Sequence, residues 1–263
     1  MSLPIVQDAL HVSSSQLKTY LRCPRAFELK YVRGVQPEFL PRPLAFGGSF
    51  HAALAAYYEA RRAGGSVELD LLMAAFRRSW AEHVSGDVPL EATDGEADDA
   101  DLAARMLTAF LDEVGQAAVT VLSVEEPFTV PLHDPETGEV LEEVLTGFID
   151  LIVDEEGMPV VVEHKTSARR YTQAQLTEDM QLTAYQAAME ARGHVDVGLR
   201  FQVVTKAASP TVQIEDVRRD ERDVDLFMRT VVGVLRAIDA GAFYPLRGWQ
   251  CRSCPYQRAC GAR

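Results

Sequence analysis

The chain has 263 residues, of which 47% are hydrophobic and 25% are charged, a composition typical of a globular protein with a sizeable core. The net charge of −13 at pH 7 excludes the overall basic balance of most nucleic-acid-binding proteins. Pairs such as Arg61-Arg62 and Arg169-Arg170 leave a local basic channel open, although solvated surfaces are the simpler explanation. No segment reaches the roughly 18 consecutive apolar residues of a membrane span, and the N-terminus lacks a signal-peptide pattern. We therefore expect a single domain over residues 1–263 that is cytoplasmic and has no membrane partner.

The N-terminal region predicts two short helices. Serines at residues 13–15 can cap a helix, and apolar residues recur at helical spacing as far as Gly34. The dipeptide Cys23-Pro24 interrupts this pattern and predicts a joint at the cysteine. A single cysteine at such a joint is usually a buried thiol, so its meaning depends on three further cysteines near the C-terminus.

Three longer helices are predicted in the first half of the chain. After a proline-rich link over residues 37–43, the pattern predicts a helix over residues 48–62 with His51 near its first turn. Alone, a histidine beside apolar neighbours is more often a packing or surface residue than a metal ligand. Helices over residues 69–84 and 98–116 flank an acidic loop, and we interpret their apolar residues as packing without chemistry.

The stretch from Gly147 to Lys165 predicts a β-hairpin, because two apolar runs flank an acidic turn that ends in glycine. If the turn is centred at the bond preceding Gly157, Asp150 and Glu163 lie opposite each other with their Cβ atoms roughly 5 Å apart. Lys165 is two residues beyond Glu163 and therefore shares its face of the sheet.

This geometry indicates a particular chemistry. Two carboxylates at such a separation repel each other, and a divalent cation such as Mg²⁺ or Mn²⁺ relieves the repulsion through oxygen ligands. A neighbouring lysine can orient a water molecule or stabilise negative charge on a phosphate. Asp150, Glu163 and Lys165 therefore indicate metal-assisted hydrolysis of a phosphodiester. The alternative is a salt bridge between Glu163 and a basic neighbour at the end of a strand.

The remaining pattern is that of a mixed α/β protein. A predicted helix over residues 172–192 carries Gln181 and Tyr185 four residues apart, and so on one face. The alternative for this pair is that Tyr185 packs in the core while Gln181 is exposed. The other predicted elements are strands over residues 119–131, 139–153, 197–206 and 211–218, and a helix over residues 221–240.

Four cysteines lie at the two ends of the chain, at Cys23, Cys251, Cys254 and Cys260. In a reducing compartment such a set favours a metal over disulfides. Four thiolates suit either a tetrahedral zinc ion or a [4Fe–4S] cluster, and the spacing alone does not choose between them. Free thiols are the remaining alternative. A metal at these positions would join segments that are distant in sequence.

The hairpin residues carry a family resemblance. Gly147-x-x-Asp150, a hairpin and Glu163-x-Lys165 resemble the core of the PD-(D/E)XK nuclease superfamily, with Ile149 in place of the proline, a common departure in the RecB-like branch. The resemblance extends to motifs of RecB-like iron–sulfur nucleases, which here are Ser15, Leu17, Tyr20, Cys23, Pro24, Phe27, Gly47, His51, Gln181 and Tyr185. CRISPR-associated iron–sulfur exonucleases and AddB-type nuclease domains share this arrangement.

The resemblance implies a restriction-endonuclease-like α/β fold with a mixed central sheet flanked by helices. It also implies a helical insertion over residues 69–116, and a [4Fe–4S] cluster, rather than zinc, that ties residue 23 to residues 251–260. The implied ligands of Mn²⁺ or Mg²⁺ are His51, Asp150, Glu163 and the backbone carbonyl of His164.

The resemblance also implies the catalytic set Asp150, Glu163, Lys165, Gln181 and Tyr185. Lys165 would assist the attacking water, while Gln181 and Tyr185 would contact DNA or this lysine. An acidic residue of the first long strand, Glu125 or Glu126, could also reach the metal.

The predicted activity is that of a metal-dependent deoxyribonuclease, an exonuclease on single-stranded DNA or DNA ends. Its predicted partners are DNA and a helicase or CRISPR adaptation proteins. Two alternatives come from other classes: a non-catalytic subunit that binds DNA ends, and a structural adaptor held together by zinc. The sequence does not choose the cleavage polarity or the oligomeric state.

Overall fold

The computed structural model describes residues 11–92, 99–115, 117–194 and 196–261. The predicted helix ends at residues 98 and 116, and part of the acidic loop, lie outside these ranges. In chain order the elements are β1 (His11–Ser13), α1 (Ser14–Arg22), α2 (Pro24–Phe27), α3 (Arg42–Arg62), α4 (Leu69–Val84), α5 (Asp99–Val114), β2 (Thr120–His133), β3 (Val140–Glu155), β4 (Met158–Ser167), α6 (Gln173–Glu178), α7 (Met180–Ala191), β5 (Gly198–Thr205), β6 (Val212–Val217), α8 (Glu221–Asp239) and α9 (Gln257–Cys260). A π-helical turn (Glu28–Val32) follows α2, and a 3₁₀ turn (Trp249–Cys251) precedes α9.

The strands form one mixed six-stranded sheet, and the long strand β3 determines its shape. Strand β2 runs antiparallel along the whole of one edge of β3. The other edge is shared, because β1 pairs in parallel with residues 144–146 and β4 pairs antiparallel with residues 151–155. Within the part of the chain that the structure describes, residues 147–150 of β3 therefore have no strand partner on that edge. Strand β5 extends the sheet parallel to β4, and β6 is antiparallel to β5.

The turn between β3 and β4 sets the register that the sequence predicts. Glu156 and Gly157 both have positive φ values, 55° and 88°, as a two-residue type I′ turn requires. Leu151 consequently pairs with Val162. Asp150 and Glu163 occupy the next position along the two strands, where the pairing ends.

The sheet has a hydrophobic core on each face. Helices α1, α7 and α8 cover one face, and α3, α4 and α5 cover the other. The valine run of β4 is buried on both sides, since Val161 belongs to the first core while Val160 and Val162 belong to the second. The helices of the predicted insertion thus contribute to the second core. None of the helices in the described ranges is long and apolar enough to cross a membrane.

Two helix predictions are corrected by the structure. Helix α3 begins at Arg42, six residues before the predicted start, because Pro43 falls in the first turn, where no backbone N–H is needed. The helix predicted over residues 172–192 is divided in two. Asp179 breaks it with an extended backbone, and its side chain caps α7 by accepting the N–H of Gln181 at 2.8 Å.

Candidate active site

At the gap on the edge of β3, polar backbone and side-chain groups form hydrogen bonds with residues other than those of a paired strand. The carbonyl of Phe148 accepts a hydrogen bond from the hydroxyl of Tyr185 at 2.7 Å. The carboxylate of Asp150 accepts one from the backbone N–H of His164 at 2.9 Å. The divergence of β1 and β4 therefore opens a site at residues 147–150, where side chains take the place of a strand.

The two predicted carboxylates are both buried at this gap. Asp150 is 8% exposed and Glu163 is 1% exposed. Burial, together with the charge of Asp150, raises the pKa of Glu163 to about 7. One oxygen of Glu163, Oε2, is buried without a hydrogen-bond partner in the described ranges. Such an oxygen costs roughly 1–3 kcal/mol when left unsatisfied, and a cation would satisfy it.

Lys165 lies beside the second oxygen of Glu163. Its Nζ is 2.5 Å from Glu163 Oε1 and donates a hydrogen bond to Gln181 Oε1 at 2.9 Å. Burial opposes the charge of this lysine, but the carboxylates of Glu163 and Asp179 more than offset burial and raise its pKa above the ordinary value. Lys165 is therefore an ammonium group at neutral pH.

A chain of hydrogen bonds fixes Lys165 to the body of the protein. Gln181 accepts from Lys165 and donates through Nε2 to the hydroxyl of Tyr185 at 2.9 Å. Tyr185 is 2% exposed, and its ring meets that of Phe128 edge-on at 5.9 Å. Helix α7 thus brings the predicted Gln-Tyr pair to the lysine. Gln181 is partly buried against it and is not an exposed residue.

His51 approaches the site from helix α3. Its Nδ1 is 3.4 Å from Asp150 Oδ2. Burial alone would lower the pKa of this histidine, but Asp150 outweighs burial and raises the pKa to about 9. Burial alone would raise the pKa of Asp150, but opposing effects, of which the charge of His51 is the largest, lower this pKa to about 2. The two residues form an ion pair.

The sequence left open whether Glu125 or Glu126 reaches the site, and the structure brings Glu125 to it. Ligand atoms of His51, Glu125 and Asp150 lie within 4.8 Å of one another, whereas Glu163 is not in this group. Glu125 lies across from Asp150 in the β2–β3 register and has a left-handed backbone, with φ 49°. Strain of this kind in a non-glycine residue is typical of functional sites. Glu126 instead pairs with Arg192 at 3.3 Å.

A family model of the PD-(D/E)XK nuclease superfamily matches residues 11–261. The chain belongs to the PD-(D/E)XK nuclease superfamily. A crystal structure of a "Putative exonuclease" from Eubacterium rectale is similar in fold, with a TM-score of 0.58 and 14% identity over 98% of this chain and 93% of that one. The crystal structure of SSO0001 is 15% identical over 94% of this chain and 95% of that one, with a TM-score of 0.40. No curated protein matches the chain.

In this PD-(D/E)XK nuclease, His164 presents its side chain to the second core. The imidazole is 3% exposed, stacks on Tyr58 with a ring separation of 5.4 Å, and has no hydrogen-bond partner on either nitrogen in the described ranges. Burial lowers its pKa to about 4, so the ring is neutral. The backbone N–H of His164 binds Asp150, and the metal-binding role of its carbonyl stays a prediction.

The four cysteines of this nuclease are free thiols in segments that pack together. Burial raises the pKa of Cys254, and the charges of nearby Cys23 and Cys260 raise it further. No three cysteine sulfurs in the described ranges lie within 4.8 Å of one another, whereas sulfurs around one zinc ion are separated by about 3.8 Å. The structure therefore brings the cysteine segments together without a zinc-like geometry, and the predicted iron–sulfur cluster is not confirmed.

Direct contacts join the two ends of the chain beside these cysteines. The N–H of Glu38 donates to the carbonyl of Pro255 at 2.8 Å, and the Glu38 carboxylate accepts the N–H of Arg258 at 2.7 Å. Cys23 itself separates α1 from α2, which is the joint that the sequence predicts.

Proposed function

We propose that this protein is a metal-dependent deoxyribonuclease whose centre is formed by Asp150, Glu163 and Lys165. The observation that carries the proposal is the arrangement at the β3 gap, where two buried carboxylates lie beside a partly buried ammonium group and Glu163 Oε2 has no hydrogen-bond partner among the residues that the structure describes. A structural salt bridge between Glu163 and Lys165 would satisfy one oxygen only. It would not explain the second carboxylate or the histidine beside it.

The donor set fits Mn²⁺ or Mg²⁺. The ligand atoms of His51, Glu125 and Asp150 lie within 4.8 Å of one another, so these three residues would hold one divalent ion. Glu163 would add its unsatisfied oxygen. An imidazole among carboxylates favours Mn²⁺ over Mg²⁺. When bound, the metal would lower the pKa of a water molecule and offset charge on the phosphate.

The chain's own residues would orient the reaction. Lys165 would stabilise negative charge on the phosphate, because the Gln181 contact holds its ammonium group at Glu163. Gln181 and Tyr185 are positioning residues in this scheme, since they act through the lysine. Tyr185 is anchored in turn to the carbonyl of Phe148 at the gap.

The decisive experiment is cleavage of end-labelled single- and double-stranded DNA with Mn²⁺, Mg²⁺ or EDTA. We expect cutting that requires a metal and disappears in Asp150→Asn, which keeps the volume of the side chain and removes the charge. Product lengths give the polarity and separate exonuclease from endonuclease action. A wild-type protein that binds DNA ends and cuts neither substrate with either metal would instead support the non-catalytic subunit.

We further propose single-stranded DNA or DNA ends as the substrate, and a helicase or CRISPR adaptation proteins as partners. These assignments rest on the motifs shared with RecB-like nucleases. The exonuclease name of the Eubacterium rectale protein agrees with action on ends, although that similarity concerns the fold.

We also propose that Cys23, Cys251, Cys254 and Cys260 bind a [4Fe–4S] cluster. Support comes from the charges of Cys23 and Cys260, which raise the pKa of Cys254, and from the hydrogen bonds that join residue 38 to residues 255 and 258. A four-iron cluster binds each thiolate on a different iron, so the sulfurs need not come as close as they do around one zinc ion.

Glu125 provides a test of the metal site with a matched control. We expect Glu125→Gln to weaken Mn²⁺ binding roughly tenfold or more, because it removes a charged ligand, while Glu126→Gln leaves the affinity unchanged. The neighbouring glutamates share a strand, and only Glu125 lies near His51 and Asp150. Isothermal titration calorimetry measures both dissociation constants. Equal effects of the two substitutions would exclude Glu125 as a ligand.

Metal affinity should rise with pH between 6 and 9. The pKa of His51 is about 9, and those of Glu125 and Glu163 are about 7. A metal binds the deprotonated forms, so binding releases protons, and each released proton changes the affinity by up to about tenfold per pH unit. Calorimetry in buffers of different ionisation enthalpy counts these protons. His51→Gln should flatten the pH dependence between pH 8 and 9; an unchanged slope would contradict the assignment of His51.

A further inference from the structure

A groove of about 290 Å³ adjoins the candidate active site on the side of Lys165. Its lining residues are Lys18, Tyr171, Gln175, Glu178, Asp179 and Met180. Gln181 Oε1 links the groove to the site, because it accepts hydrogen bonds from both Lys165, at 2.9 Å, and the groove residue Lys18, at 3.3 Å. A molecule in the groove would therefore lie beside the groups proposed to act on the phosphate.

Tyr171 forms a rigid aromatic wall of this groove. Its backbone N–H donates to Gln213 Oε1 at 2.7 Å, and its carbonyl accepts from Gln213 Nε2 at 3.1 Å. Gln213 lies on β6 and is 3% exposed, so this clamp is anchored in the sheet. The ring packs on Phe201 at 6.0 Å. Burial raises the pKa of Tyr171, so its hydroxyl is neutral.

The polar wall of the groove is equally fixed. Lys18 Nζ lies 3.2 and 3.3 Å from the two carboxylate oxygens of Asp179. The backbone of Asp179 is held in turn, since Arg219 donates to the carbonyls of Asp179 and Leu176. The break between α6 and α7 thus creates a preorganised polar edge in the groove that Tyr171 also lines.

We propose that the groove binds the nucleobase of the nucleotide next to the scissile phosphate, in single-stranded DNA, by stacking on Tyr171. This inference rests on the proposed nuclease function and adds a substrate contact to it. Among the six lining residues, two carboxylates, Glu178 and Asp179, outnumber the single cation, Lys18. A phosphate is therefore disfavoured, whereas a flat, neutral base with polar edges fits both walls. A base that is stacked inside a duplex cannot stack on Tyr171, so the groove favours unpaired DNA.

The test compares a labelled thymidine decamer with its fully abasic counterpart, which has the same phosphates. Binding is measured with Ca²⁺ in place of Mn²⁺ by fluorescence anisotropy. We expect wild type to bind the decamer roughly tenfold more tightly than the abasic strand, as one stacked base contributes. Tyr171→Ala should abolish most of this preference, and Tyr171→Phe should keep it. Tyr244→Ala is the matched control, because it removes an exposed tyrosine outside the groove.

Cleavage kinetics provide the second measurement. With Mn²⁺, Tyr171→Ala should raise KM for single-stranded DNA roughly tenfold with less than a twofold change in kcat. Thermal melting identifies a variant that fails to fold. Lys18→Met, at another lining residue, then tests the groove independently, with an expected loss of affinity of severalfold. The comparison of the two DNA strands on wild type needs no variant at all.

The outcomes separate this inference from the proposed function. If wild type cuts DNA but binds both strands equally, or if Tyr171→Ala keeps the preference, the groove does not bind a base and the nuclease proposal stands. If wild type prefers the decamer and Tyr171→Ala loses the preference without any metal-dependent cutting, the groove is established and the nuclease proposal fails. A wild type that neither binds nor cuts overturns both.

Discussion

Replacing Lys165 with methionine should lower kcat for DNA cleavage by roughly 10²–10³-fold, the usual effect of removing one preorganised group that stabilises a transition state. Methionine keeps the length of the side chain and removes the charge beside Glu163 and Gln181. The pKa of Lys165 is raised, so the wild-type group is cationic across the working pH range. The loss should therefore fall on kcat at saturating metal, with a small change in KM.

The choice of pH decides whether this experiment is interpretable. Lys165 partly counteracts the burial that raises the pKa of Glu163, and without the lysine this pKa should rise above its present value of about 7. Near neutrality the variant would then bind metal poorly because Glu163 is protonated. Assays at pH 8.5 with a titrated Mn²⁺ concentration separate the two effects. Lys30→Met, at an exposed position, is the matched control. A variant that keeps a tenth or more of kcat under these conditions would exclude the catalytic role.

The hairpin could be predicted from the sequence because its geometry depends on residues that are close together along the chain. Gly157 provides one of the two positive φ values that a type I′ turn needs, and the turn fixes which residues of β3 and β4 face each other. The opposition of Asp150 and Glu163 therefore follows from counting residues along the chain. The placement of Gln181 four residues before Tyr185 is equally local, since helical spacing puts both on one face.

The gap on β3 could not be predicted from the sequence. It arises because β1, more than a hundred residues earlier in the chain, takes part of the edge that β4 otherwise occupies. Hydrophobic alternation does not encode which strands pair at long range. The left-handed backbone of Glu125 is likewise absent from the pattern, because neither glycine nor proline marks it. The structure was needed to distinguish Glu125 from Glu126.

At Asp179, contacts in the folded protein outweigh the apolar spacing that predicts a helix. Apolar spacing favours one continuous helix over residues 172–192, but Asp179 gains a capping bond to Gln181 and an ion pair with Lys18 on α1. The ion pair is available only after α1 has packed beside α7. The break also places Gln181 at the start of α7, next to Lys165. The division of the predicted helix therefore helps to form the candidate active site.

Replacing Cys254 with serine should lower the melting temperature by about 10 °C or more and abolish bound iron. The charges of Cys23 and Cys260 raise the pKa of Cys254, so this thiol is near a cysteine of each segment. A cluster there would stabilise the fold by closing a very long loop. A loss of 3–5 kcal/mol corresponds to roughly 10 °C in a domain of this size. Anaerobic purification, iron and sulfide analysis, absorption near about 400 nm and thermal melting measure the effect.

Ser253→Ala, one residue away, is the control for this substitution and should leave both iron content and melting temperature unchanged. If the wild-type protein is colourless and contains one zinc ion per chain, the cysteines bind zinc and not an iron–sulfur cluster. The sulfurs would then have to move closer than they are here. If wild type binds no metal and Cys254→Ser melts at the same temperature, the cysteines are free thiols. The ends of the chain would then be held by contacts such as those of Glu38 with Pro255 and Arg258.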